Sequence, residues 1–325
     1  MRNSTIDLAR LIASFFIVAV HVGYYTDYSP YVGDVFRSSA RWALPLFFLI
    51  TGYFIGVSKD ENFPKRVNKI LGIFITSSII FIPYAILKKV EQGAVSLVQI
   101  LPSILSVDSL LYGDYFHLWF LPALIIGMLL AKFAIDNIKP NIALWLSGLL
   151  LLLTWLSDLY AFFDKGESYF YFFRVLVSFP LVYIGYYLAR NPLSITREWS
   201  AIIFLGSVVL MVFEVSFLTK VTGHDGLERQ FPLFCALAAT MLLCWCVKAK
   251  VPENFFSRMG ERYSLGIYLF HPIFLPITKI LLTKTLGYDS FIHLILTFIS
   301  TVGSMIILDK AFPKLFRFVS GGYIK

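Results

Sequence analysis

Apolar runs alternate along the chain with short polar segments, and ten of the runs have the length, or close to it, that a helix needs to cross about 30 Å of hydrocarbon. They fall near residues 6–25, 43–58, 70–87, 115–133, 142–157, 170–189, 200–219, 230–247, 263–282 and 291–312. The second and fifth are short, which predicts tilted segments packed among neighbours or extended by a few polar residues. No repeat or Gly/Ser/Pro-rich linker interrupts the series, and its longest gap, residues 88–114, is too short for a domain of its own. The pattern predicts an all-α polytopic membrane protein, a bundle of about ten transmembrane helices forming a single domain over residues 1–325. The first run carries ionisable residues and is followed by no small-residue cleavage pattern, so it is expected to stay in the mature protein.

Composition strengthens this picture. The chain is 58% hydrophobic and 15% charged, with a mean hydropathy of +0.75, outside the range of soluble domains. Lys and Arg are unevenly placed: with the N-terminus inside, seventeen fall on inner segments and nine on outer ones, while Arg10 and Arg174 lie within spans. By the positive-inside rule both termini are cytoplasmic, as expected of a multi-pass protein of the cell membrane. The net charge of +8 follows from this bias; the basic residues are scattered among short segments and suit membrane lipid, with no nucleic-acid partner implied. The three cysteines, Cys235, Cys244 and Cys246, share one apolar run and offer neither a disulfide framework nor metal-ligand spacing.

Against this background the ionisable residues inside apolar runs need a reason, because a charge at bilayer depth costs several kcal/mol unless it faces a polar interior. The first run holds Asp7, Arg10 and His21. Eleven residues bring Arg10 and His21 back to within about 20° of one helix face, roughly 16 Å apart along the axis. Asp7 also suits the first turn of a helix by the dipole alone. On the derived topology His21 lies near the outer end. His117 and Trp119, at the start of the fourth span, and Arg174, at the start of the sixth, reach the same level, with Arg37 and Arg41 preceding the second span. An aromatic belt explains His117 as well as a site does, and Arg37 suits solvent. In the ninth run Tyr268 and His271 are three residues apart on one face, next to Pro272; helix packing beside a proline kink is the competing explanation. His224 and His293 carry no such signal. At the inner end Lys65, Arg66 and Lys69 cluster where the third span begins, which suits either phosphate or anionic lipid.

These residues resemble a known family. Asp7-x-x-Arg10 followed by ten residues and His21, Pro45-Leu46-Phe47-Phe48-Leu49-Ile50-Thr51-Gly52-Tyr53 with Arg41 upstream, His117-Leu118-Trp119-Phe120, and Ser264-Leu265-Gly266-Ile267-Tyr268 with His271 are similar, block by block and in order, to integral-membrane acyltransferase family 3. Leu11 replaces a common Gly, Thr51 a Ser, and Lys69 an Arg; the last change removes a bidentate fork from the basic cluster. The resemblance implies a bacterial enzyme that transfers an acyl group, usually acetyl, from cytoplasmic acyl-CoA to a hydroxyl of a cell-envelope glycan or lipid-linked sugar. It needs no permanently bound cofactor and no metal, and acetyl-CoA is its donor substrate. His21 is then the expected general base, with Arg10 orienting the donor or stabilising charge. Arg41, His117, Trp119, Arg174, Tyr268 and His271 are candidates for holding the acceptor or the oxyanion, and Lys65, Arg66 and Lys69 for gripping coenzyme A phosphates. A secondary transporter of a small polar solute is the alternative, although the Arg-x10-His pattern has no second copy of the kind inverted repeats carry. A sensing or scaffold protein explains the intramembrane polar residues less well.

Overall fold

The computed structural model describes residues 3–58, 63–91, 102, 106, 117–164, 167–223 and 229–320, and among these residues there is no β-strand. Helix α1 (Ser4–Val22) begins where the Asn3 side chain accepts from the amides of Thr5 and Ile6, which satisfies two donors that a helix start leaves open. It is followed by α2 (Pro30–Ser39), α3 (Ala43–Val57), α4 (Phe63–Glu91), α5 (Phe120–Asn137), α6 (Pro140–Asp164), α7 (Glu167–Leu176), α8 (Ser178–Arg190), α9 (Arg197–Thr222), α10 (Cys235–Lys248), α11 (Phe255–Thr285), α12 (Ser290–Ala311) and the short α13 (Pro313–Val319).

Among the described residues nine helical stretches are long and apolar enough to span a membrane. The tenth expected span is α10, only 14 residues long. Its approach is non-helical: Gln230 lines a cavity at one end of the bundle, while just past the helix Ala249 accepts the Thr5 hydroxyl at the other. Three expected boundaries shift. The second span runs from Tyr31 to Val57, because α2 and α3 continue one another across a short turn, and this length resolves the shortness of its central run. The fourth span, α5, starts at Phe120, so His117, Leu118 and Trp119 form the turn before it, while Tyr115 and Phe116 lie outside the described residues. The sixth span divides into α7 and α8 at Val177, where Pro180 has no N–H for the Leu176 carbonyl.

Small residues let the helices approach closely enough to build the site. A Cβ at Gly52 would lie 1.9 Å from the Val182 carbonyl oxygen, and one at Gly185 would lie 2.1 Å from that of Leu49, so α3 and α8 meet backbone to backbone. The Thr51-Gly52-Tyr53 block of the second span thus owes its glycine to packing.

The bundle has two distinct ends. One gathers the start of α1, the end of α10 and the start of α11, where Arg262 and Tyr263 bind Asp309 near the end of α12. The other gathers His21 and the segment joining α11 to α12, where Asp27 accepts from the amide and hydroxyl of Ser290. The basic-residue asymmetry predicts that this second end faces away from the cytoplasm. Asp27 ties two segments together, so the reporter of choice is Tyr31, 66% exposed at the same end. In a background lacking the three buried cysteines, Tyr31→Cys is expected to react with a membrane-impermeant maleimide on intact cells. Labelling only in inverted vesicles would reverse the topology.

Candidate active site

At the second end α1, α3, α6, α7, α8 and α11 enclose a cavity of about 110 Å³ lined by His21, Arg41, Trp119, Arg174 and Tyr268, with apolar walls from Ile17, Phe48 and Leu181. It is adjoined by a wider chamber of about 430 Å³ that shares His21, Arg41, Trp119, Arg174 and Gln230 and adds Tyr24, Arg37, Asp158 and Tyr171. Concave space with a few convergent polar groups is the usual form of a small-molecule site. Trp119 and Tyr171 each hold a ring centroid 4.5 Å from the Arg174 guanidinium carbon, and Arg174 Nη1 donates to Gln230 at 3.4 Å. Stacking of this kind fixes the plane of a guanidinium.

His21 shares its layer with two further histidines. Its ring stacks on His271, centroid to centroid 5.2 Å, and His271 lies 5.9 Å from His117. Neither His117 nor His271 is among the described residues lining the cavity; both are fully buried behind it. The reason is local. Pro272 leaves the Tyr268 carbonyl without its helical donor, and His271 Nδ1 takes that place at 2.8 Å. A carbonyl only accepts, so Nδ1 carries the proton, and Nε2 has no hydrogen-bond partner among the described residues. Helix α11 therefore continues through Pro272, and the proline acts by orienting an imidazole. His117 Nε2 donates in the same way to the Leu269 carbonyl at 2.8 Å, and the Tyr268 hydroxyl donates to the His117 carbonyl.

Arg10 belongs to the opposite end. It lies 3.6 Å from Asp7 and near enough to Lys69 and Glu261 to interact electrostatically. Arg66 and Lys69 line a pocket of about 400 Å³ with Thr51, Ser58 and Met128, whereas Lys65 is exposed outside its lining. Arg10 and His21 thus mark two separate polar regions along α1, one at each end.

A buried ion network also flanks the chamber. Arg229, 1% exposed, binds Asp158 at 3.0 Å and Glu214 at 2.6 Å. Asp158 accepts from the amides of Gln230 and Phe231, and Glu214 from Leu233 N and Trp155 Nε1. Arg229 is one of the nine basic residues that the positive-inside count assigns to outer segments, and the fold makes it the centre of the network. Glu214, an acid within the seventh apolar run, and Asp158, one residue past the end of the fifth, carried the signal that singled out Arg10 and His21. His293 is structural, its Nε2 donating to Leu275 O at 2.9 Å, and His224 lies outside the described residues. Among the described residues no cluster of His, Cys, Asp and Glu is placed to hold a metal ion.

Comparison with known proteins adds a family and its relatives. The family described as "Acyltransferase domain" matches residues 3–310. An amino-acid racemase of Enterococcus faecalis is 27% identical over 85% of the chain and 41% of its own length. A serine/alanine racemase of Enterococcus gallinarum is 25% identical over 98% of the chain and 47% of its own length. The chain spans less than half the length of these relatives. No solved structure gives a significant match.

Proposed function

This chain belongs to the acyltransferase family that matches residues 3–310, and from that premise we propose that it is a membrane O-acyltransferase. In this reading an acyl group, acetyl in the simplest case, moves from acyl-CoA on the cytoplasmic side to a hydroxyl of a cell-envelope glycan or lipid-linked sugar. The observation that supports it most directly is that His21 is the sole imidazole among the described lining residues of the cavity and chamber. A hydroxyl attacks a thioester sluggishly without a base, and imidazole is suited to take its proton near neutral pH. His21 accepts the hydroxyl proton as the new C–O bond forms at the thioester carbonyl carbon. The charge that moves onto the carbonyl oxygen meets the guanidinium of Arg41 or Arg174. Collapse breaks the C–S bond, and His21 returns the proton to the departing thiolate.

At the opposite end the Arg66 and Lys69 pocket suits the phosphates of coenzyme A, and Arg10, close enough to Lys69 to interact with it, shares that end and suits orienting the donor. Arg66→Ala and Lys69→Ala are expected to raise the KM for acyl-CoA by roughly tenfold while changing kcat much less, since a remote phosphate handle supplies mainly uniform binding. The effect should shrink as salt rises. An unchanged donor KM in detergent would leave these residues as anchors to anionic lipid.

The racemase names of the relatives favour a second reading, in which a small polar solute such as an amino acid crosses the bundle without acyl chemistry. Purified protein given acetyl-CoA separates the two. Acceptor-dependent release of free CoA, with acetylated glycan detected by mass spectrometry in cells that carry the gene and not in cells that lack it, supports transfer. Solute movement in vesicles with no CoA release overturns it.

A further inference from the structure

The chamber above His21 is walled by cations from separate elements: Arg37 on α2, Arg41 in the turn after it, and Arg174 on α7. They gather around one volume, for Arg37 and Arg41 repel one another and both act on His21. Two of them are visibly mounted. Arg37 Nη1 donates to the Gly23 carbonyl at 3.1 Å with its guanidinium carbon 4.7 Å from the Tyr24 ring centroid, and Arg174 is held by Trp119 and Tyr171 on aromatic faces. Among the described lining residues the carboxylate is Asp158, which Arg229 binds at 3.0 Å and which also acts on Arg41.

A developing oxyanion engages one such cation, and a neutral sugar hydroxyl requires none. Guanidiniums from three separate elements that line a single space offer a visiting anion several charged donors at once. Planar guanidiniums fixed by stacking are matched in geometry to a carboxylate or a phosphate, which they grip through paired charge-assisted hydrogen bonds. Resting on the acceptor side of the acyl-transfer reading, we propose that this chamber binds an acceptor carrying its own anionic group, a carboxylate or a phosphate, beside the hydroxyl that is acylated. The volume of about 430 Å³ lies in the range of small-molecule sites.

The test measures binding by the purified full chain in detergent without acyl donor, so that it stands apart from catalysis. The probes are glucose against glucuronic acid, and N-acetylglucosamine against its 1-phosphate. The charged member of at least one pair is expected to bind at least about tenfold tighter than its neutral partner, an advantage that shrinks as salt rises. The carboxylate and phosphate arms show which anion the chamber reads. Arg174→Gln and Arg41→Gln are expected to remove most of the advantage, with Arg174→Lys retaining part of it. Equal affinity within both pairs, tighter binding of the neutral sugars, or no binding of any charged probe by the folded wild-type protein would overturn the proposal. Anion preference that persists in a protein releasing no CoA with any acceptor would leave this inference standing and sink acyl transfer.

Discussion

Replacing His21 with Ala is expected to lower acyl transfer by about 10²- to 10⁴-fold, the usual cost of losing a general base, while leaving the bundle folded. The imidazole lies at the last turn of α1 and faces the cavity, whereas the fully buried Val18 and Ala19 lock that helix into the core. Truncation therefore enlarges a space that is already open and leaves the packing side chains in place. The stack on His271 is lost as well, but His271 stays oriented by the Tyr268 carbonyl. The measurement is kcat for CoA release with a working acceptor, alongside size-exclusion behaviour and thermal melting. Activity within about threefold of wild type would remove His21 from the chemistry. A covalent acyl-histidine on His21 trapped by rapid quench would change its role from base to nucleophile.

The largest effect on stability is expected at Arg229. Arg229→Met leaves Asp158, 3% exposed, and Glu214, 15% exposed, without the cation between them. Removing one partner of a buried ion network costs about 3–5 kcal/mol, because the remaining charge stays desolvated and uncompensated. The loss should be local in origin, since those carboxylates hold the amides of Gln230, Phe231 and Leu233 and so set the wall of the chamber. A thermal melt in detergent should show the drop. The triple variant Arg229→Met, Asp158→Asn, Glu214→Gln should recover part of it, because no buried charge is left over. A single variant that melts like wild type would show that the network contributes nothing.

Several features could be read directly from residue order. Membrane architecture was one, since a run of about twenty apolar residues has few folds other than a spanning helix. The interest of Asp7, Arg10 and His21 was another, because an ionisable side chain inside such a run is costly wherever it points. Proline positions were legible as well, although their consequence was not. The residue order shows that Pro272 frees a carbonyl; the fold shows that His271 takes it and that α11 continues.

Pairings between distant segments were not legible. Arg229 resembled any loop arginine until the fold placed it between Asp158 and Glu214, about 70 residues before it and 15 residues before it in the chain. Spacing along α1 allowed Arg10 and His21 to share a face, but only the fold, which brings Lys69 near Arg10 and packs α11 along α1 with His271 stacked on His21, assigned one to each polar region. Periodicity within a helix depends on local backbone geometry, which residue order specifies. Which charges meet across the bundle depends on close helix approaches such as Gly52 against Val182 and Gly185 against Leu49, and those exist only once the helices have packed.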